Sequence, residues 1–115
     1  MDIKANEYVR TNGGHIGIFQ KYEEEGISQW FTMLQNGTLY TTATKAIVKH
    51  SKNIIDLIEV GDIVFIQDVL NNDFVYIYDD EMLKAVREDI EEGLEITEVL
   101  THELYEANCY KVKEE

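Results

Sequence analysis

The chain contains no proline and a single cysteine, Cys109. One thiol cannot close an internal disulfide, so the core must hold the fold without covalent staples, and nothing implies an oxidising compartment. Proline-rich linkers are excluded, and no Ser/Gly-rich segment, low-complexity tract or internal repeat is present. No apolar run approaches the roughly 20 residues of a membrane span, and the opening MDIKANEYVR lacks the apolar stretch of a secretion signal. The expected location is therefore the cytoplasm. Basic residues are also scarce. Ten stand against 23 acidic ones, a net charge of −13, with a sequence pI of about 4.5.

What is present suffices for one domain. With 115 residues, 44% of them hydrophobic, the chain can bury on the order of 65% of its unfolded surface. We expect a single domain over 1–115, with a β-meander over 1–45 and an acidic C-terminal half over 46–115. Residues 1–55 hold six basic and five acidic residues, whereas 56–115 hold four basic and eighteen acidic ones. Such an excess repels phosphate backbones and anionic lipid and attracts basic surfaces. It also keeps a small protein soluble.

The N-terminal part reads as hairpins. Tyr8–Thr11 is β-prone, Asn12-Gly13-Gly14 supplies a tight turn, and His15–Tyr22 returns from it. Ile27–Leu34 and Thr38–Thr42 flank Asn36-Gly37, the strongest hairpin signal in the chain. Ala46–His50 is a further strand, and Ser51 or Asn53 caps a helical turn at Ile54–Ile58. Ile63–Ile66 and Phe74–Tyr78 form another hairpin. Asp79 caps a helix whose Met82, Leu83, Val86 and Ile90 make one apolar stripe, and Gly93 ends it. Leu94–Leu100 alternates apolar and acidic residues as a half-exposed strand, Thr101 caps a short turn, and Cys109–Val112 reads as a closing strand. The predicted class is α+β: a small, strongly bent antiparallel barrel with one amphipathic helix and short helical turns.

Two stretches carry a resemblance. EYVRTNGGHIGIF resembles the opening hairpin of SH3-like and KOW-type barrels. The run HSKNIIDLIEVGD, together with the terminal LTHE and YKV segments, resembles a group of short proteins from phages and prophages of Firmicutes. The resemblance implies a mobile-element origin and a bacterial host cytoplasm. It brings no activity, cofactor or catalytic residue. Small acidic phage proteins include inhibitors of host defence such as anti-CRISPR proteins, an analogy of genomic context and charge.

No catalytic set emerges from the residues, so the expectation is a protein that is not an enzyme. His15, His50, His102 and Cys109 are dispersed without CxxC, HxxxH or HxxE spacing, and we assign no metal site and no cofactor. The acidic runs fit no EF-hand loop, and the glycines at 13, 14 and 17 sit in a hairpin rather than in a phosphate-binding turn.

Two surfaces are candidates. Asp80, Glu81, Glu88, Asp89, Glu91, Glu92, Glu95 and Glu98 form an acidic surface for a basic host protein, occupying a groove built for phosphates. The alternative is a nucleic-acid face of Arg10, Lys21, Tyr22 and Trp30 on the barrel, for which a net charge of +1 over residues 1–55 is a poor electrostatic footprint. Of Phe19, Tyr22, Trp30, Phe31 and Tyr40, four are expected to fill the core. A third possibility is a self-assembling phage accessory or structural protein. The expected state is a monomer or small homo-oligomer.

Overall fold

The computed structural model describes residues 3–25, 28–67 and 72–108. The α+β class holds: the described residues form eight strands in two antiparallel sheets, of five and three strands, with two helices. The chain divides into two compact units, Met1–Leu57 and Ile58–Glu115. The first unit extends beyond the meander to Leu57, because the fifth strand pairs with the first. This also sharpens the charge division. The first unit holds six acidic and six basic residues, so the second carries the whole net charge of −13.

The first unit runs β1 (Tyr8–Thr11), β2 (Ile16–Glu25), β3 (Ser28–Gln35), β4 (Thr38–Ala43), a 3-10 turn (Thr44–Ala46), β5 (Ile47–Ser51) and a second 3-10 turn (Ile54–Leu57). Its sheet order is β4-β3-β2-β1-β5. The β3–β4 turn has φ of 51° at Asn36 and 81° at Gly37. Two consecutive positive values define the type I′ region that an Asn-Gly pair tolerates and that matches strand twist. The β2–β3 register shifts between Phe19 and Lys21, leaving Gln20 as the extra residue of a bulge. The bulge returns Phe19 and Tyr22 to one side of the sheet, with ring centroids 4.8 Å apart, while Phe19 stacks on Phe31 at 5.8 Å. Ile3, Val9, Phe19, Phe31, Met33 and Ile47 form the core. Of the two expected caps, Asn53 stands at the capping position, its carbonyl accepting from the Asp56 amide at 3.1 Å, while Ser51 Oγ accepts from the Asn53 amide and donates to Asp56 Oδ2.

The second unit runs β6 (Ile63–Gln67), β7 (Asn72–Tyr76), α1 (Asp80–Glu91), β8 (Glu95–Leu100) and α2 (His102–Asn108), with sheet order β7-β6-β8. Asp79 Oδ1 accepts from the Met82 amide at 2.8 Å and caps α1 as expected. At the other end Leu94 N donates to Asp89 O and Gly93 N to Ile90 O, a Schellman closure that needs the left-handed backbone found at Gly93. Val64, Ile77 and Val86 are buried. No helix among the described residues is long and apolar enough to cross a membrane. The expected strand at Cys109–Val112 lies outside the described residues.

Candidate partner-binding surface and a histidine–carboxylate cluster

Helix α1 sorts its residues by side. At about 100° per residue, Asp80, Glu81, Glu88, Glu91 and Glu92 fall within an arc of roughly 120°. Buried Val86 lies across from the centre of that arc, so the cap and the apolar stripe together turn the acids outward. Lys84 sits within the arc, whereas Asp89 lies about 60° beyond it, beside Met82 of the apolar stripe. All six acids are exposed.

Glu95 and Glu98 are grouped by a feature that sequence reading missed. Strict alternation would place residues three apart on opposite faces. The β6–β8 register, however, shifts between Phe65 and Ile66, so Glu95 pairs with Gln67 and Glu98 with Phe65, leaving Thr97 as the bulge residue. Thr97 Oγ1 donates to the Phe65 carbonyl at 3.3 Å. Glu95 and Glu98 thus share one face of the sheet, and β7 adds Phe74 opposite Phe65 and Tyr76 opposite Ile63. Val64 is on the other, buried face. Phe74 is 64% exposed and Tyr76 53%. The Phe65 and Phe74 rings lie 6.2 Å apart beside a groove of about 380 Å³ that Glu98 and Thr97 also line. Carboxylates next to open aromatic faces suit a cation: the rings attract it through their quadrupoles and the carboxylates through charge.

The alternative nucleic-acid face does not assemble. Arg10 is fully buried, with Nη1 donating to the Leu57 carbonyl at 2.9 Å, so its charge closes the first unit instead of meeting solvent. Lys21, Glu23 and Trp30 share one face of the β2–β3 pair, whereas Tyr22, opposite Phe31, lies on the other. Lys21 Nζ is 3.6 Å from Glu23 Oε1, which offsets its charge locally. Of the five aromatics, two are buried, Phe19 and Phe31, not four; Tyr22, Trp30 and Tyr40 are 40%, 40% and 48% exposed. Tyr40 stands on the edge strand β4, and Trp30, opposite Glu23, lies on the face away from buried Phe31. On β4, Leu39 and Tyr40 face solvent, which keeps the self-assembly reading open to test.

Two of the three histidines acquire carboxylate partners that no local spacing announces. In the first unit, buried Glu7 accepts from the Lys4 amide through Oε2 at 2.6 Å, and its Oε1 is 3.3 Å from His50 Nδ1. The Lys4 amide, aided by His50, holds the Glu7 carboxyl below the ordinary glutamate range, against the opposing effect of burial. In the second unit, His102 Nε2 is 3.1 Å from Glu59 Oε1 and 3.2 Å from Glu103 Oε1. Asp62, fully buried, ties these residues together: Oδ2 accepts from the Glu59 amide at 2.8 Å and Oδ1 from the His102 amide at 2.9 Å. The sequence contains the Glu59–Asp62 turn and the His102-Glu103 pair, but forty residues separate them, and only β6 and β8 bring them side by side. No protein family, curated protein or solved structure matches the chain.

Proposed function

We propose that this protein acts by binding and not by catalysis, and that its second unit is a receptor for a basic protein surface. One observation carries the reading. Glu95 and Glu98 lie on the same sheet face as the exposed Phe74 and Tyr76, within a unit that holds the chain's entire net charge of −13. The arc of acids on α1 adds charge that steers encounter and weakens with salt. Arginine and lysine side chains are the complementary groups, and a groove that ordinarily holds nucleic acid is rich in both. Inhibition of such a nucleic-acid-binding host protein is the finer form of the proposal, to which the resemblance to phage proteins adds a mobile-element origin. For the first unit we propose an SH3-like small barrel as a supporting scaffold. The order β4-β3-β2-β1-β5, with a 3-10 turn between β4 and β5, supports this by setting the first and last strands side by side.

A short oligo-arginine peptide tests the reading by calorimetric titration at low and physiological salt. The parent protein binds it, and the affinity falls as salt rises. E95K/E98K and F74A each weaken binding by at least about tenfold while circular dichroism stays unchanged. E88K/E91K/E92K slows association in stopped flow. Affinity unmoved by both E95K/E98K and F74A would remove the sheet face from the proposal.

A further inference from the structure

We propose that Glu59, His102 and Glu103 bind a divalent metal ion of the zinc class. Their three ligand atoms lie within 4.8 Å of one another, and the histidine nitrogen is 3.1 Å and 3.2 Å from the two carboxylate oxygens. Zinc holds nitrogen and carboxylate oxygen at about 2.0–2.2 Å in a tetrahedron, which separates ligand atoms by roughly 3.3 Å. These two separations are thus already near the edges of a coordination tetrahedron. A cation placed among the three atoms meets one imidazole nitrogen and two carboxylate oxygens, a donor set that zinc takes.

The surroundings have the features of a built site. Asp62 anchors Glu59 and His102 through their backbone amides and so fixes both ligand-bearing segments from a buried position. Gly61, at φ +100°, allows the approach: a Cβ there would stand 3.1 Å from the His102 Cβ. On the far side of the imidazole, Nδ1 lies 4.0 Å from Glu106 Oε1. A carboxylate facing the second nitrogen orients a metal-bound imidazole and raises its basicity. Three carboxylates, those of Glu59, Glu103 and Glu106, approach the one imidazole, and the side chains of Glu59, His102 and Glu103 are 28%, 29% and 22% exposed, so an ion can enter. The nitrogen ligand sets the class. Carboxylates alone suit calcium or magnesium, whereas imidazole with two carboxylates favours zinc. The remaining coordination position is left to solvent or to a donor on a partner.

The test is calorimetric titration of the full chain in a C109S background, stripped with chelator and titrated with Zn²⁺ in a non-coordinating buffer. One equivalent should bind, with a rise in melting temperature, and Ca²⁺ and Mg²⁺ should bind at least about tenfold more weakly. H102Q, E59Q and E103Q should each lower zinc affinity by about tenfold or more, whereas H50Q, whose histidine lies in the first unit, should leave it unchanged. Circular dichroism checks that each variant is folded, and E103Q stands in if E59Q is not. The proposal fails if no saturable zinc binding appears, if H102Q binds as the parent does, or if Ca²⁺ binds as tightly as Zn²⁺.

Discussion

Replacing Asp62 tests how the second unit is held together. Its carboxylate is fully buried and accepts from the amides of Glu59 and His102, at 2.8 and 2.9 Å. Asp62→Ala leaves both amides without this acceptor, at about 1–3 kcal/mol each, and removes the cost of burying a carboxylate, which returns part of the loss. The expected net destabilisation is about 2–4 kcal/mol. Asp62→Asn keeps the volume and one acceptor oxygen but turns an NH₂ group towards the second amide, and should cost about 1–2 kcal/mol. Urea unfolding followed by far-UV circular dichroism measures both, because the only tryptophan, Trp30, lies in the other unit and reports on that unit instead. The order parent, Asn, Ala in decreasing midpoint is the expected outcome. Both variants within about 0.5 kcal/mol of the parent would mean that Asp62 does not clamp the turn at Glu59 to the start of α2.

Glu7 and the glycines provide further tests. Because the folded-state pKa of Glu7 is lowered, its contribution is complete above the unfolded value of about 4.3 and is lost as the pH falls through the folded one. Glu7→Gln should therefore lower the melting temperature near neutral pH, with the gap to the parent closing in acid; a gap that widens in acid would contradict the assignment. Gly61→Ala and Gly93→Ala both place a side chain at positive φ, but a Cβ meets His102 at 3.1 Å in the first case and nothing within 4 Å in the second. Chemical denaturation should show Gly61→Ala as the more damaging, by about 1 kcal/mol or more beyond the backbone strain of about 1 kcal/mol common to both. Equal losses would show that the approach of α2 to this turn is not tight.

Local chemistry made much of the fold legible. Asn36-Gly37, Asp79 and Gly93 each specify a backbone conformation through the residue itself, and the hairpin, the helix cap and the helix end stand where such residues place them. Stripe periodicity likewise made the acidic arc of α1 readable, because burying Val86 obliges the opposite side to face water. The bulges at Gln20 and Thr97 were not readable. Each depends on how two strands register against a partner, and a one-residue shift exchanges the faces of everything beyond it. That is why Glu95 and Glu98 share a face although simple alternation separates them, and why Phe19 and Tyr22 do so too, whereas Lys21 and Tyr22, neighbours in β2, lie on opposite faces by alternation alone. The burial of Arg10 is of the same kind: its acceptor is a carbonyl 47 positions along the chain.

By itself, the sequence determined quantities and local shapes: the charge excess and its C-terminal bias, the turns, the helix and its polar side, and the lack of disulfide or proline constraints. Tertiary structure alone decided which distant groups meet. Glu59 reaches His102 and Glu7 reaches His50 across 43 residues in each case, because strand pairing brings together atoms whose separation along the chain carries no trace of their contact. Local propensity acts over a few residues, whereas the convergence of carboxylates on an imidazole is a property of sheet register and of the buried carboxylate that holds it.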